Sequence, residues 1–208
     1  MAEAKKETIV TCKARLSYPN LFDVHKTDSG KEQYDCVLIV PKPATVSDPA
    51  YKAEIEAMFA SMQRVIQAAI EAQWGKRPEG LNMPIKDGDG KRPTDGQPFD
   101  ETVHGAFFFT ASSGAKYPPS LVLNETDNFG KWKRAEPADI YAGCYVRAAI
   151  SAYAWEWKAK RGVSFNVNSV QKLEDGEPLS ARRNAEAYFG AASTGTAAGG
   201  TTPDSIFA

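Results

Sequence analysis

The sequence predicts a mainly β fold: a small barrel of strands with one long helix, long loops and a disordered C-terminal tail. Three observations carry this. Period-two alternation of apolar and polar residues recurs along the chain and is strongest in a long hairpin between Gly143 and Leu173. A single apolar stripe of helical period lies between Asp48 and Gly75. From Ala191 to Thr202 the chain holds only Ala, Ser, Thr and Gly, which bury too little apolar surface to offset the entropy of ordering. With 208 residues, 42% of them hydrophobic, the chain can bury one core, so a domain over residues 1–190 and a tail over 191–208 are expected.

The first strand is read over Thr8 to Leu16, with Val10, Cys12, Ala14 and Leu16 inward and Ile9, Thr11, Lys13 and Arg15 outward. Turn formers then crowd residues 18–30, including Pro19, Asn20, Asp28, Ser29 and Gly30. A second strand, Tyr34 to Val40, ends at Pro41 and Pro43. Asp48-Pro49 reads as an N-cap with proline in the first helical turn, and Gly75 as the stop. Residues 76–101 are rich in proline and glycine and predict a long ordered loop. Strands resume at His104, with Phe107, Phe108 and Phe109 crossing a core. Residues 112–119 form a loop, and Leu121 to Leu123 a short strand. The hairpin follows, with strands Gly143–Trp157 and Val163–Leu173 joined by a turn over 158–162.

The formal net charge of -1 and pI near 6.2 exclude a uniformly basic surface, so any nucleic-acid site must be local. Neither a leader segment nor a membrane span is expected, which predicts a cytoplasmic protein. Cys12, Cys36 and Cys144 lie far apart among apolar neighbours and read as reduced, packed thiols rather than a zinc site. No cofactor is expected.

The chemistry concentrates in the hairpin. One face of its first strand carries Cys144, Val146, Ala148, Ile150, Ala152 and Ala154, which suit a tight barrel interior. The other carries Tyr145, Arg147, Tyr153, Trp155 and Trp157, followed by Lys158, Lys160 and Arg161. An OB-type (oligonucleotide-binding) groove holds single strands in this way, with bases stacked on rings and cations along the phosphates. A second cluster, Lys131, Trp132, Lys133 and Arg134, repeats the interleaving in what reads as a loop. Residues 130–162 hold seven Lys/Arg against three Asp/Glu, a local positive excess in a chain of negative total. Lys13 and Arg15 extend the candidate DNA-binding set. The alternative for these aromatic residues is packing beneath the helix or a loop.

Several stretches, in order, resemble the single-stranded-DNA-binding protein family of tailed bacteriophages: Arg15 through Phe22, Tyr34 through Lys42, Pro84-Ile85-Lys86-Asp87-Gly88-Asp89, Ile140 through Arg147, and Gly162 through Leu179. The resemblance implies an OB-like fold, sequence-independent binding of single-stranded DNA, a part in phage DNA replication or recombination, and no enzymatic step. It implies that Lys86 to Asp89 form a fold-defining loop and Tyr141 to Cys144 the entry to the central strand. Like replication single-strand binders, the chain carries a linker and a terminal tip. Asp204, Ile206 and Phe207 are therefore candidate contacts to phage or host replication proteins. Monomer and homodimer are both left open.

Two other classes compete. A metal-dependent nuclease would use Asp87, Asp89, Asp95, Asp100 and Glu101, although these lie in a Gly/Pro-rich loop and miss EF-hand register at Arg92 and Pro98. A protein-only interaction module would present Tyr153, Trp155 and Trp157 to a protein partner.

Overall fold

A computed structural model describes residues 7–27 and 30–179. The strands are β1 (Thr8–Val10), β2 (Ala14–Lys26), β3 (Glu32–Pro41), β4 (Ile85–Asp87), β5 (Ala106–Gly114), β6 (Ser120–Thr126), β7 (Trp132–Arg134), β8 (Tyr145–Trp157) and β9 (Lys160–Glu174). One helix, α1, spans Pro49–Trp74. Five strands close a barrel, because β8 pairs with β2, β2 with β3, β3 with β5, β5 with β9, and β9 returns to β8. Within that ring only β5–β9 is parallel. This is the OB-like barrel that the sequence predicts. Outside it, β1 pairs with β8, β4 with β5, β6 with β9, and β7 with β6.

The interior holds Leu16, Leu38, Phe109, Val146, Ala148, Ile150 and Phe165, with Phe109 and Phe165 edge-to-face at 5.5 Å. Asp48 caps α1 by accepting from the Ala50 amide, and Gly75 ends it. The helical stripe Ile55, Met58, Met62, Val65, Ile66 and Ile70 joins the same core, and α1 lies against β8. Each such side chain contributes about 1.5–3 kcal/mol on burial, which fixes the helix on the barrel.

The structure corrects the sequence reading in several places. The first strand is two, β1 and β2, since the Thr11 amide and hydroxyl both bond to Ala148 and hold the chain off its line. This reverses the phase of β1: Ile9 is buried and Val10 is 58% exposed. The turn-rich stretch is strand, because β2 absorbs Tyr18 and Pro19 in a bulge between Ser17 and Asn20, with Tyr18 at φ 46°. The long loop over 76–101 contains β4 and ends at a short 3-10 turn, Glu101–Val103, and the loop expected over 112–119 is shorter, because Ser112 to Gly114 continue β5. Of Lys131 to Arg134 only Lys131 lies outside a strand, since Trp132–Arg134 is strand β7. The hairpin turn is shorter than expected, because Trp157 pairs with Lys160 and leaves only Lys158 and Ala159 between them.

Candidate nucleic-acid interface

The outer face of the β8–β9 hairpin sets Tyr153 opposite Ser164, Trp155 opposite Gly162 and Trp157 opposite Lys160. Trp155 is half-buried and lies across Gly162. A Cβ there would come within 2.5 Å of the indole ring, so only glycine leaves room for it. Its Nε1 donates to Ser164 Oγ at 2.9 Å, which fixes the ring along the strand. Trp157 is 65% exposed, with Lys158 Nζ 4.4 Å from its ring centroid. Neither Lys158 nor Lys160 makes an ion pair among the described residues. Arg161 belongs elsewhere: it pairs with Glu156 at 3.1 Å on the opposite face, where Glu156 also accepts from Trp74 Nε1. Those two hydrogen bonds, that from Trp74 first, hold the Glu156 carboxyl below its ordinary range.

Further along the same face, Asn166 of β9 follows Ser164 at the next outward position. It shares a hollow of about 310 Å³ with Tyr117, Pro118 and Asn168. Pro118 also lines a second hollow of about 420 Å³, with Phe22, Pro119, Trp132 and Arg134. A continuous strip therefore runs from the hairpin tip past Trp155 and Tyr153, over Tyr117, to Trp132 and Arg134. Within β7 only alternate residues face the second hollow. Lys133 does not, and instead pairs with Glu125 at 2.6 Å, which raises its pKa above the ordinary lysine value. Lys131 is exposed just before β7.

The remaining sequence candidates are tied into the fold. Arg147 donates from Nε to Gln171 Oε1 at 2.6 Å. Lys13 pairs with Glu174 at 3.3 Å and sits 5.4 Å from the Tyr145 ring. Arg15 donates from Nη2 to the Glu177 carbonyl, and the Tyr145 ring approaches Gly176. Lys13 is thus tied to the end of β9, and Arg15 and Tyr145 hold the segment after it against the barrel. Asp204, Ile206, Phe207 and the low-complexity linker lie outside the described residues.

Tyr117 and Phe22 escaped the sequence reading. Tyr117 is 76% exposed, and its carbonyl accepts from Ser113 Oγ. The signal was present in Lys116-Tyr117-Pro118-Pro119, where a ring beside a cation is stiffened by two prolines. Phe22 was hidden because its strand reads as turn.

The acidic loop is structural. Lys42 Nζ lies 2.6 Å from Asp87 and 2.7 Å from Asp89, and 5.4 Å from the Phe107 ring centroid. Hydrogen bonds from Lys42, then backbone amides, hold both carboxyls below the ordinary aspartate value, and the same contacts raise Lys42. Asp95 pairs with Arg92, and Asp100 accepts from the Thr102 amide. Among the described residues no group of three or more His, Cys, Asp or Glu is placed to hold a metal. Burial pushes the Cys12 thiol up to about 12, with Glu54 adding to it. Within the described residues no helix is long and apolar enough to cross a membrane.

A closed barrel of this strand order is an OB-fold, an architecture whose single-strand-binding members hold bases on aromatic rings set between cations. The chain belongs to the phage single-stranded-DNA-binding protein family typified by that of Enterobacter phage Enc34, whose family model matches residues 7–198. Among solved structures, the single-stranded DNA-binding protein from bacteriophage Enc34 in complex with ssDNA is similar at TM-score 0.63 and 22% identity. The match covers 83% of this chain and 89% of that one. The single-stranded DNA-binding protein gp2.5 of bacteriophage T7 is similar at TM-score 0.51 and 15% identity, over 93% of this chain and 100% of that one. No curated protein matches the sequence. At these identities the structural likeness speaks for the fold.

Proposed function

We propose that this chain binds and protects single-stranded DNA without sequence preference during phage DNA replication and recombination, in the host cytoplasm and without catalysing a reaction. Bases stack along Trp157, Trp155, Tyr153, Tyr117 and Trp132, while Lys158, Lys160 and Arg134 face the phosphates. The observation that carries this reading is Trp155, held across Gly162 with its indole N–H fixed by Ser164. Ring positions set before binding lower the ordering cost of stacking, which supplies about 1–3 kcal/mol per base irrespective of base identity. In this reading residues 1–190 form the binding unit, and the tip with Asp204, Ile206 and Phe207 recruits replication proteins.

Titration of tryptophan fluorescence with single-stranded and duplex oligonucleotides of mixed sequence tests the proposal. Quenching by single strands of every composition, with weaker binding of duplex, is expected. Equal affinity for duplex refutes it, because stacking requires unpaired bases.

A further inference from the structure

The β6–β7 hairpin ends in a turn built to display one apolar ring. Asp127 Oδ1 accepts from the amides of Phe129 and Lys131 at 2.8 and 2.9 Å, and the Asp127 amide donates to the Lys131 carbonyl at 2.7 Å. On this fixed turn Phe129 is 88% exposed. Lys131 stands beside it with no ion pair among the described residues, while Lys133 is taken by Glu125.

Beyond the base of the same hairpin the surface is complementary. A hollow of about 610 Å³ is walled by Pro19, Pro137, Ala138, Ile140, Tyr141 and Pro178. Exposed Glu136 precedes Pro137, Glu177 precedes Pro178, and neither carboxylate makes an ion pair among the described residues. Tyr18, exposed in the β2 bulge, adds a ring beside Pro19. A basic aromatic finger and an apolar socket flanked in sequence by two unpaired carboxylates therefore lie on one chain. The turn lies four to five residues beyond the Val122–Arg134 pair at the hairpin base, a reach of roughly 15 Å at strand rise, and the socket follows that base. Along the chain, finger and socket thus lie on either side of the hairpin base.

We infer that this pair is a head-to-tail contact between copies of this chain bound side by side on one strand, with Phe129 of one copy seated in the Pro19–Pro137–Tyr141 hollow of the next. The inference rests on the single-strand-binding reading. Finger and socket are different patches, so the contact is heterologous and propagates along the DNA rather than closing a dimer. One ring and one ion pair are too small an interface for stable association in free solution. On a shared strand the effective concentration of neighbours makes the same contact sufficient. The occupant is a second copy rather than the chain's own tip, because the finger is cationic whereas Asp204 of the tip would meet the carboxylates of Glu136 and Glu177 beside the socket.

Crosslinking of the full chain on long poly(dT) with a short bis-maleimide tests this, since Phe129 and Ala138 are exposed positions whose substitution leaves the core intact. Native thiols give little background: Cys36 and Cys144 are buried, and Cys12 is held protonated. The double variant Phe129→Cys/Ala138→Cys should give a ladder of multimers, and each single variant monomer alone. Phe129→Ala should bind an oligonucleotide of about ten nucleotides as the natural chain does. Its affinity for long poly(dT) should fall by about tenfold or more. Dimers from Phe129→Cys alone, or no ladder from a double variant that binds the short strand normally, overturn the inference. So does crosslinking of Ala138→Cys to Phe207→Cys within one chain, which assigns the socket to the tip. Failure of the natural chain to bind the short strand is separate, since it removes the binding reading itself.

Discussion

Replacing Gly162 by alanine disturbs the proposed stacking platform without touching a ring or a charge. The added methyl would lie 2.5 and 2.7 Å from two indole carbons of Trp155 and 3.1 Å from Cβ of Asn82, so the indole must lift from the strand. Its 2.9 Å bond to Ser164 breaks with it, at a cost of about 0.5–1.5 kcal/mol. Against this, Gly→Ala at a backbone angle alanine can adopt reduces unfolded-state entropy and stabilises by about 0.4–1 kcal/mol. The two effects nearly cancel, so thermal stability should change by under about 1 kcal/mol. DNA affinity should not follow. Removing one stacked base costs about 1–3 kcal/mol, or roughly a five- to 150-fold rise in Kd. The assay is fluorescence titration with short oligo(dT) at fixed salt, beside a thermal melt and the emission maximum of the free protein. A shifted emission maximum with unchanged Kd would refute the reasoning, because the ring would have moved without consequence for DNA.

Charge reversal of Lys158 and Lys160 should flatten the dependence of log affinity on log salt by about 0.7 for each phosphate no longer neutralised, and an unchanged slope removes the hairpin tip from the site. The Lys42 clamp predicts an acid-sensitive element. Because Asp87 and Asp89 titrate below 3.8 in the folded chain, their stabilisation is present above that value and disappears as pH falls below it through the lowered folded pKa values. Melting temperature in that acid range should therefore fall less steeply in Asp87→Asn/Asp89→Asn than in the natural chain, and parallel profiles contradict the linkage. Gly143→Ala should destabilise by about 1–3 kcal/mol or more from backbone strain alone, since Gly143 holds φ 114°. Its Cβ would also meet the Glu177 carbonyl. A denaturant melt reads the destabilisation, and a natural-like midpoint contradicts it.

The barrel was legible where one face of a strand is buried and the other is not. Val146, Ala148 and Ile150 alternate with Tyr145, Arg147 and Ala149 because the interior admits only the first set, and the burial follows that phase. The helix was legible from its cap, its stripe and its stop. Legibility failed where side-chain hydrogen bonds or bulges displace the period. Thr11 interrupts a strand whose alternation continues through it, and the Tyr18–Pro19 bulge places turn-forming residues inside a strand. Neither displacement leaves a trace in hydrophobic pattern, because each depends on a partner far off in sequence.

The same limit decides how the charges divide. From sequence, Lys13, Arg15, Arg147, Lys158 and Lys160 are equivalent outward cations beside aromatic residues. In the fold the first three find partners on the segment at the end of β9 or on its neighbour: Glu174 for Lys13, the Glu177 carbonyl for Arg15, Gln171 for Arg147. A cation already bonded must exchange that bond for a phosphate, whereas Lys158 has only the Trp157 ring beside it and Lys160 makes no ion pair among the described residues, so in the proposed interface the hairpin tip would contribute more of the electrostatic attraction per charge. The aromatic rings divide in the same way. Tyr145 is pressed against Gly176, while Trp157 stands open at the tip and Trp155 lies fixed on the strand. The β8 strand therefore does two tasks along its length. Its beginning, with Gly143 and Tyr145, fastens the chain that follows the barrel, and its end presents the surface proposed for DNA. Substitutions at the first end should accordingly register in melting temperature, and those at the second in affinity and its salt dependence.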